Sequence, residues 1–234
     1  MSNTPRTFRD RRQAGRVLAP DLARYLKKHG CDNLQVLGLA RGGVPIASEV
    51  AAFLQAPLDL CLVRKLGVPQ WPELAMGAIT TGGGVVLNDD LIRSLGISDE
   101  QIRDAVARET GELNRREQAY RADRGPLVVA GRTVVLVDDG IATGATMIAA
   151  ARWVRQAGAT QIVVGVPVAP ESVCRQLLKD ADGVVCSTMP ADFRAVGQVF
   201  EDFHQVSDDE VRALLAGATS EGGSAIENRR TAPP

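Results

Sequence analysis

The sequence predicts an α/β fold, a mostly parallel sheet flanked by helices. Short apolar runs of the kind that form buried strands alternate along the chain with segments of helical periodicity. Loops rich in glycine or in charged residues follow several of these runs directly, which is typical of parallel strands joined by crossover helices. With 234 residues, the chain is long enough for one sizeable domain of this class.

Strands and helices can be assigned in chain order from their periodicity. The five apolar runs predicted as buried strands are 34–39, 58–63, 134–137, 161–166 and 183–187. The predicted helices around them are 10–28, 44–54, 143–156, 171–179 and a short last helix that Ser207 and Glu210 cap. This order gives most strands a helix that can cross over to a parallel neighbour.

A different pattern interrupts the alternation after the second strand. Two short apolar segments, 75–80 and 84–88, are joined through Thr-Gly-Gly-Gly and predict a β-hairpin. The proline-rich stretch GVPQWPEL before them predicts an exposed loop. A long charged helix is expected to begin at Ser98, where Gln101 completes a capping box. From Gly217 onward the chain lacks apolar periodicity, so we expect a disordered tail over 217–234.

Composition excludes several classes of partner. The formal net charge of −1 predicts binding to neither nucleic acid nor an anionic membrane. The arginine-rich segment RTFRDRR is the local exception, and we interpret it as a solvated helix face. Four cysteines without CxxC spacing and two distant histidines argue against a zinc site and predict reduced cysteines. No apolar run reaches membrane-spanning length and no signal peptide is visible, so a cytoplasmic location is expected.

Polar clusters follow three of the predicted strands. These clusters are Arg41-Gly42-Gly43, Arg64-Lys65 and Asp138-Asp139. Because the carboxyl ends of parallel strands meet at one edge of a sheet, we expect the three clusters to converge there. Basic groups facing two acids across one crevice indicate a ligand that carries both phosphates and polar hydroxyls.

The stretch VVLVDDGIATGAT combines an acid pair with a loop suited to an anion. The loop residues after Asp138 and Asp139 are small or carry hydroxyl groups: Gly140, Ala142, Thr143, Gly144, Ala145 and Thr146. Their backbone N–H groups and the dipole of the following helix predict a phosphate cradle. The carboxylates suit the vicinal hydroxyls of an attached sugar, so a 5′-phosphorylated ribose fits both halves. The alternative is a plain turn whose acids only cap the helix, but capping needs one acid and no such glycine and threonine spacing.

The stretch LARGG predicts a second anion site. Gly42 and Gly43 expose backbone amides and Arg41 adds a charge, which suits a pyrophosphate. An ordinary tight turn explains the glycines equally well, and Arg64-Lys65 could equally be a solvated strand end. Neither the GxGxxG nor the GxxxxGK[ST] spacing is present, so no dinucleotide or P-loop fingerprint is seen.

VVLVDDGIATGAT resembles the signature with which type I phosphoribosyltransferases bind 5-phosphoribosyl-1-pyrophosphate (PRPP). LARGG and VRK resemble the pyrophosphate loop and the basic pair of that family. The resemblance covers about residues 34–187, and the chain is most similar to bacterial members of unassigned acceptor. It implies a type I phosphoribosyltransferase fold in one domain over 1–216, with a flexible loop, hairpin and helix inserted at about 66–125. A small hood would come from the N- and C-terminal segments.

The resemblance also implies a role for each part of the site. Asp138 and Asp139 would hold the ribose 2′- and 3′-hydroxyls, and Mg²⁺ would be held mainly by PRPP, with contact through water to the same acids. The residues that it assigns to PRPP binding are Arg41, Gly42, Gly43, Arg64, Lys65, Asp138, Asp139, Gly140, Ile141, Ala142, Thr143, Gly144, Ala145 and Thr146. A cis peptide is expected at Ala40-Arg41, and a homodimer is the expected assembly.

The implied reaction displaces pyrophosphate from C1 of the ribose by a nitrogenous base, in nucleotide metabolism. The acid pair, Arg41 and Lys65 would carry it, while a loop around 71–74 closes to exclude water. Two alternatives remain: a PRPP-sensing regulator without catalysis, and a hydrolase or phosphorylase acting on a phosphorylated sugar.

One departure from the family bears on the acceptor. Hypoxanthine-guanine members have an aspartate where this chain has Ala142, which cannot accept a proton. We therefore expect hypoxanthine and guanine to be poor acceptors. Glu73 is the candidate general base, and the alternative for it is a solvated loop acid.

Overall fold

The computed structural model describes residues 6–121 and 124–227. The α-helices of these residues are α1 Arg11–Lys28, α2 Gly43–Leu54, α3 Asp89–Leu95, α4 Asp99–Arg121, α5 Ala145–Gln156, α6 Glu171–Leu177 and α7 Asp208–Glu227. The strands are β1 Leu34–Leu39, β2 Leu58–Cys61, β3 Val63–Val68, β4 Trp71–Thr80, β5 Gly84–Leu87, β6 Thr133–Val137, β7 Gln161–Val168 and β8 Gly183–Thr188. Strands and helices alternate as the sequence predicts.

Five strands form the central sheet, in the order β2-β1-β6-β7-β8. Every neighbouring pair in it is parallel, so the predicted α/β fold is confirmed. Strands β1 and β6 lie side by side, with Gly38 opposite Val137. Because both strands run in the same direction, the loops that follow them leave the sheet at the same edge.

Helices cover both faces of this sheet. All five residues of β6 are buried, which explains why its sequence is apolar throughout. Val135 and Val137 belong to a core cluster that includes residues of α1 and α2, whereas Val134 and Leu136 belong to a cluster with α5. The alternation follows from the two-residue repeat of a strand. Strand β6 therefore separates the two core clusters, and the same alternation fixes the face of the sheet on which Val137 lies.

A second sheet of three antiparallel strands, β3-β4-β5, contains the predicted hairpin. Strands β4 and β5 pair from Gly77 opposite Leu87 to Thr80 opposite Gly84, as expected. The loop predicted for 67–74 is wrong, because β3 and β4 pair through this region, whereas its predicted exposure holds for residues 69–72 and 74. Pro72 is tolerated there because the β3–β4 register shifts around Gly67 and β5 pairs only from Gly77 onward. Helix α3 was not predicted.

Helix termini follow the predicted capping signals. Ser98 N–H donates to Gln101 Oε1 (2.9 Å), and Gln101 N–H donates to Ser98 Oγ (3.3 Å), which is a capping box before α4. Helix α7 extends to Glu227, so the disorder expected over 217–227 is corrected, while 228–234 lie outside the described residues. A missing apolar repeat shows that a segment lacks a core face, but alanine, serine and glutamate remain compatible with a helix.

The structure also bears on the expectations for the cysteines and for membrane spans. All four cysteines of the chain are free thiols. Across 6–121 and 124–227, no helix is both long and apolar enough to span a bilayer.

A buried ion pair joins β2 to the C-terminal end of α4. Arg121, 7 % exposed, donates from Nε to Asp59 Oδ1 (3.1 Å) and from Nη2 to Asp59 Oδ2 (3.0 Å). We expect Asp59→Asn to lower the free energy of unfolding by about 3 kcal/mol, since the buried guanidinium of Arg121 loses a two-contact ion pair and keeps its pair with Glu117. Urea denaturation measures the change. Asp21→Asn, which removes a surface pair with Arg24, is the control and should cost less than about 1 kcal/mol; equal effects would contradict the prediction.

Candidate functional site

The turn after β1 packs directly on the acid pair after β6. A Cβ atom at Gly43 would overlap the carbonyl oxygen of Val137 and lie 2.9 Å from Asp138 Cα. A Cβ atom at Gly42 would overlap the Asp139 carboxylate, at 2.7 Å from its Cγ. Only glycine allows this approach, so the two predicted clusters do converge. The Ala40–Arg41 peptide is cis, as expected.

The two carboxylates are partly buried and electrostatically coupled. Burial raises the pKa of Asp138 well above its usual range, and the charge of Asp139 raises it further. Asp138 Oδ1 accepts a hydrogen bond from the backbone N–H of Asp139 at 2.8 Å, which acts in the opposite direction. Burial also raises the pKa of Asp139, and the guanidinium of Arg11 opposes this rise. The strand end therefore holds two acids in a place where negative charge needs compensation.

Arg11 supplies that compensation, and the sequence prediction missed it. Its Nε and Nη2 lie 2.9 and 2.8 Å from Asp139 Oδ2. The solvated helix face expected for RTFRDRR is therefore wrong for this residue, which is only 8 % exposed. A usable signal was present, because Arg11 stands three and seven positions before Ala14 and Leu18, on the buried stripe of α1.

The loop between β6 and α5 has the features of the predicted phosphate cradle. Gly144 is the N-cap of α5 with a φ of 82°, a conformation that favours glycine. Ile141 is buried, and its backbone N–H donates to the carbonyl of Val168 at 2.9 Å, so the start of the loop is anchored on the sheet. The exposed positions of the loop and of the first turn of α5 are Ala142, Thr143, Ala145 and Thr146. A ligand can therefore approach the positive end of α5.

Arg41 pairs with an acid from outside the parallel sheet. Its Nη1 lies 3.2 Å from Asp208 Oδ1, in the first turn of α7. Tyr120 at the end of α4 donates its hydroxyl to the same oxygen at 2.5 Å. Burial, together with this hydrogen bond, raises the pKa of Tyr120 to about 12. Neither Asp208 nor Tyr120 was predicted, because Asp208 meets Arg41, and Tyr120 meets Asp208, only through long-range folding.

The structure places Arg64 and Lys65 differently from the prediction. They are the second and third residues of β3, in the second sheet, rather than part of a loop after β2. The guanidinium of Arg64 faces α4, where Nε and Nη2 lie 2.9 and 2.6 Å from Glu109 Oε2. Together with Arg108 these residues line a cavity of about 490 Å³ beside β3. The sequence does not show the boundary between β2 and β3, because LDLCLV is one continuous apolar run. In the structure, Leu62 between the two strands is hydrogen-bonded to Thr81 instead.

The predicted mobile loop around 71–74 belongs to β4, so that expectation is corrected. The backbone of Glu73 is part of this strand, but its side chain lies outside the described part of the chain, and its role stays a hypothesis. Within 6–121 and 124–227, no three histidine, cysteine, aspartate or glutamate side chains form a metal-binding group. The two carboxylates after β6 are nevertheless donors of the type that Mg²⁺ prefers, and they suit an ion whose other ligands come from a phosphate.

The tight contact between the two loops has a measurable consequence. We expect Gly43→Ala to lower the free energy of unfolding by about 2 kcal/mol, because the new methyl group would overlap backbone atoms of β6. Gly111→Ala is the matched control, since nothing lies within 4 Å of its Cβ position inside α4. It should stabilise the protein by about 0.5–1 kcal/mol. A Gly43→Ala variant as stable as the wild type would show that the turn can move away from β6.

Comparison with known proteins identifies the family. Residues 78–203, more than half of the chain, match the phosphoribosyl transferase domain. The crystal structure of TT1426 from Thermus thermophilus is 43% identical with a TM-score of 0.79, covering 90% of this chain and 98% of that one. A Mycobacterium tuberculosis H37Rv protein, "Putative phosphoribosyl transferase Rv0571c", is 50% identical over 209 residues. That match covers 89% of this chain and 46% of the relative, so the chain spans about half the length of the curated relatives it matches. The chain belongs to the phosphoribosyl transferase domain family.

Proposed function

We propose that the protein is a phosphoribosyltransferase that uses PRPP with Mg²⁺ and transfers the 5-phosphoribosyl group to a nitrogenous base, with release of pyrophosphate. The observation that carries this proposal is the acid pair beside the open N-terminus of α5. Carboxylates accept hydrogen bonds from vicinal hydroxyls, while the helix terminus favours a phosphate. A 5-phosphorylated ribose has both groups on one small ring.

Each end of the ligand has its own support in the geometry. We assign the ribose hydroxyls to Asp138 and Asp139 and the 5′-phosphate to residues 142–146. The pyrophosphate is assigned to the turn 41–43, whose glycines bring backbone close to the acid pair. Arg64 and Lys65 are proposed as further cations for the pyrophosphate, which requires Arg64 to exchange Glu109 for the ligand.

The proposed mechanism depends on orientation and charge. The C1–O bond to pyrophosphate breaks as the C1–N bond to the base forms, and the departing group keeps the electron pair. Two carboxylates on the hydroxyls and backbone amides on the 5′-phosphate would fix the ring while Arg41 neutralises the departing charge. Asp138 and Asp139 would help to hold the Mg²⁺ that accompanies PRPP, and that ion would supply further positive charge for the pyrophosphate. The proton that the base loses is assigned to Glu73 as a hypothesis, because Ala142 cannot accept it.

Release of pyrophosphate from PRPP, measured against a panel of bases, tests the reaction. Base-dependent release is the result expected of a transferase, with hypoxanthine and guanine poor because of Ala142. Release without any base would indicate a hydrolase. Tight binding of PRPP without release would indicate a sensing role, and no binding at all would overturn the proposal.

The acid pair is tested by neutral substitutions that keep its shape. We expect Asp138→Asn combined with Asp139→Asn to weaken binding of PRPP and ribose 5-phosphate at least tenfold, since charge-assisted hydrogen bonds are lost. Pyrophosphate binding should change little. Titration calorimetry measures the three affinities, and circular dichroism checks the fold. Asp138→Asn alone keeps the Arg11 pair intact, and Asp21→Asn on the surface of α1 is the control. Unchanged affinity for ribose 5-phosphate would contradict the assignment.

The contact between Arg41 and α7 yields a prediction of opposite sign. Asp208→Asn removes the charge that competes with a pyrophosphate for Arg41, yet its amide oxygen can still accept from Tyr120. We expect pyrophosphate to bind about two- to fivefold more tightly, the range that a pair of this exposure is worth. Asp209→Asn is the control, because that side chain is exposed and pairs with Arg212. Weaker binding in Asp208→Asn than in the control would refute competition at Arg41.

A further inference from the structure

Arg11 binds the acid pair in an asymmetric way. A guanidinium can bind a carboxylate as a fork, with one N–H group on each oxygen. Here Nε and Nη2 converge instead on one oxygen, Asp139 Oδ2, at 2.9 and 2.8 Å. Both contacts of Arg11 are thus made to Oδ2 of Asp139, and the other oxygen, Oδ1, is left for a different partner. Neutralisation alone does not require this choice of oxygen.

The guanidinium itself is fixed by residues near the end of the core. Its Nη1 donates to the backbone carbonyl of His204 at 2.7 Å, and its central carbon lies 4.0 Å from the ring centre of Phe203. Phe203 stacks on Phe200 with ring centres 5.0 Å apart, and Phe200 packs on Phe8 at 5.7 Å. Each of these contacts restricts the plane of the guanidinium, and with it the carboxylate that it binds.

The backbone of Arg11 is held equally firmly. It is the first residue of α1, directly after the N-cap Asp10, whose side chain accepts from Gln13 N–H at 2.7 Å. Phe8 N–H donates to the carbonyl of Val199 at 2.7 Å, so the chain before the helix is tied to the same segment. A side chain fixed at both its base and its tip can orient a partner to within a small angle.

We propose that Arg11 is a positioning residue for the sugar, which turns Asp139 so that Oδ1 faces a ribose hydroxyl. The arginine touches the carboxylate and not the ligand, and its effect passes through Asp139. The inference deepens the proposed function and depends on it for the assignment of ribose to the acid pair. It adds Arg11 of α1 to the part of the site that would bind the sugar. Segment 200–204 then contributes by holding the guanidinium of Arg11 in place.

Three variants in the full chain separate positioning from structural support. Arg11→Gln removes the charge and the converging Nε and Nη2 donors, whereas Arg11→Lys keeps the charge with a single donor group. Arg12→Gln is the matched control on the next position of the same helix, since Arg12 is exposed and pairs with Glu49. Titration calorimetry with ribose 5-phosphate and with pyrophosphate reports the two ends of the site separately, and neither titration needs turnover.

Arg11→Gln is expected to weaken ribose 5-phosphate about tenfold or more and to leave pyrophosphate within twofold of the wild type. Arg11→Lys should recover part of the loss, and Arg12→Gln should bind as the wild type does. If Arg11→Gln does not fold, Arg11→Lys carries the test, with a smaller loss confined to ribose 5-phosphate. Equal losses for both ligands, or no recovery in Arg11→Lys, would show a merely structural role and overturn the inference.

The same titrations distinguish this inference from the proposed function. A wild-type protein that binds neither PRPP nor ribose 5-phosphate refutes the proposed function and, with it, a sugar role for Arg11. A wild type that binds both, combined with an Arg11→Gln variant that binds as Arg12→Gln does, refutes only the role of Arg11.

Discussion

Two carboxylates side by side at the end of a fully buried strand set the main constraint on this structure. Water reaches them poorly, so their charge must be met by protein groups or by a ligand. Gly42 and Gly43 of the neighbouring turn can contribute only backbone, because glycine is the one residue type that fits between Asp139 and the end of β6. The compensating cation therefore comes from a different element, at Arg11 of α1. The acid pair is thus packed against glycine backbone on one side and bound by Arg11 on the other.

The parallel sheet and the outer helices contribute different groups to the site. The parallel sheet supplies backbone geometry, namely the glycine turn and the N-terminus of α5. Charge partners come from the outer helices: Arg11 of α1 meets Asp139, Glu109 of α4 meets Arg64, and Asp208 of α7 meets Arg41. A ligand that binds one of these charged side chains replaces an ion pair within the protein by a contact between the protein and the ligand. Such exchange reduces affinity but favours a ligand that matches several of the groups together.

The parts of the site that depend on local sequence were predictable, and those that depend on long-range pairing were not. Strand β6, the loop after it and the approach of Gly42 follow from apolar runs, small residues and the shared edge of parallel strands. Strand β3 and residues 71–74 of β4 were missed because the prolines there suggested a loop, although a register shift accommodates Pro72. Arg11 was misread because the charge of its segment outweighed its place on an apolar stripe. Asp208, the partner of Arg41, lies 167 positions away, and no local sequence pattern predicts the pair.

The site also joins residues that are made at very different times. Arg11 and the His204 carbonyl that it binds are 193 positions apart. Chains are synthesised from the N-terminus, and a domain can begin to fold before its last residues are made. All five strands of the parallel sheet, which ends at Thr188, precede His204 and Asp208 in the chain. On the ribosome, the sheet and the pair between Arg11 and Asp139 can therefore form first, whereas the contacts of Arg11 and Arg41 with the last segment must wait until that segment emerges. During translation the acid pair can therefore meet Arg11 before the segment that fixes Arg11 is available.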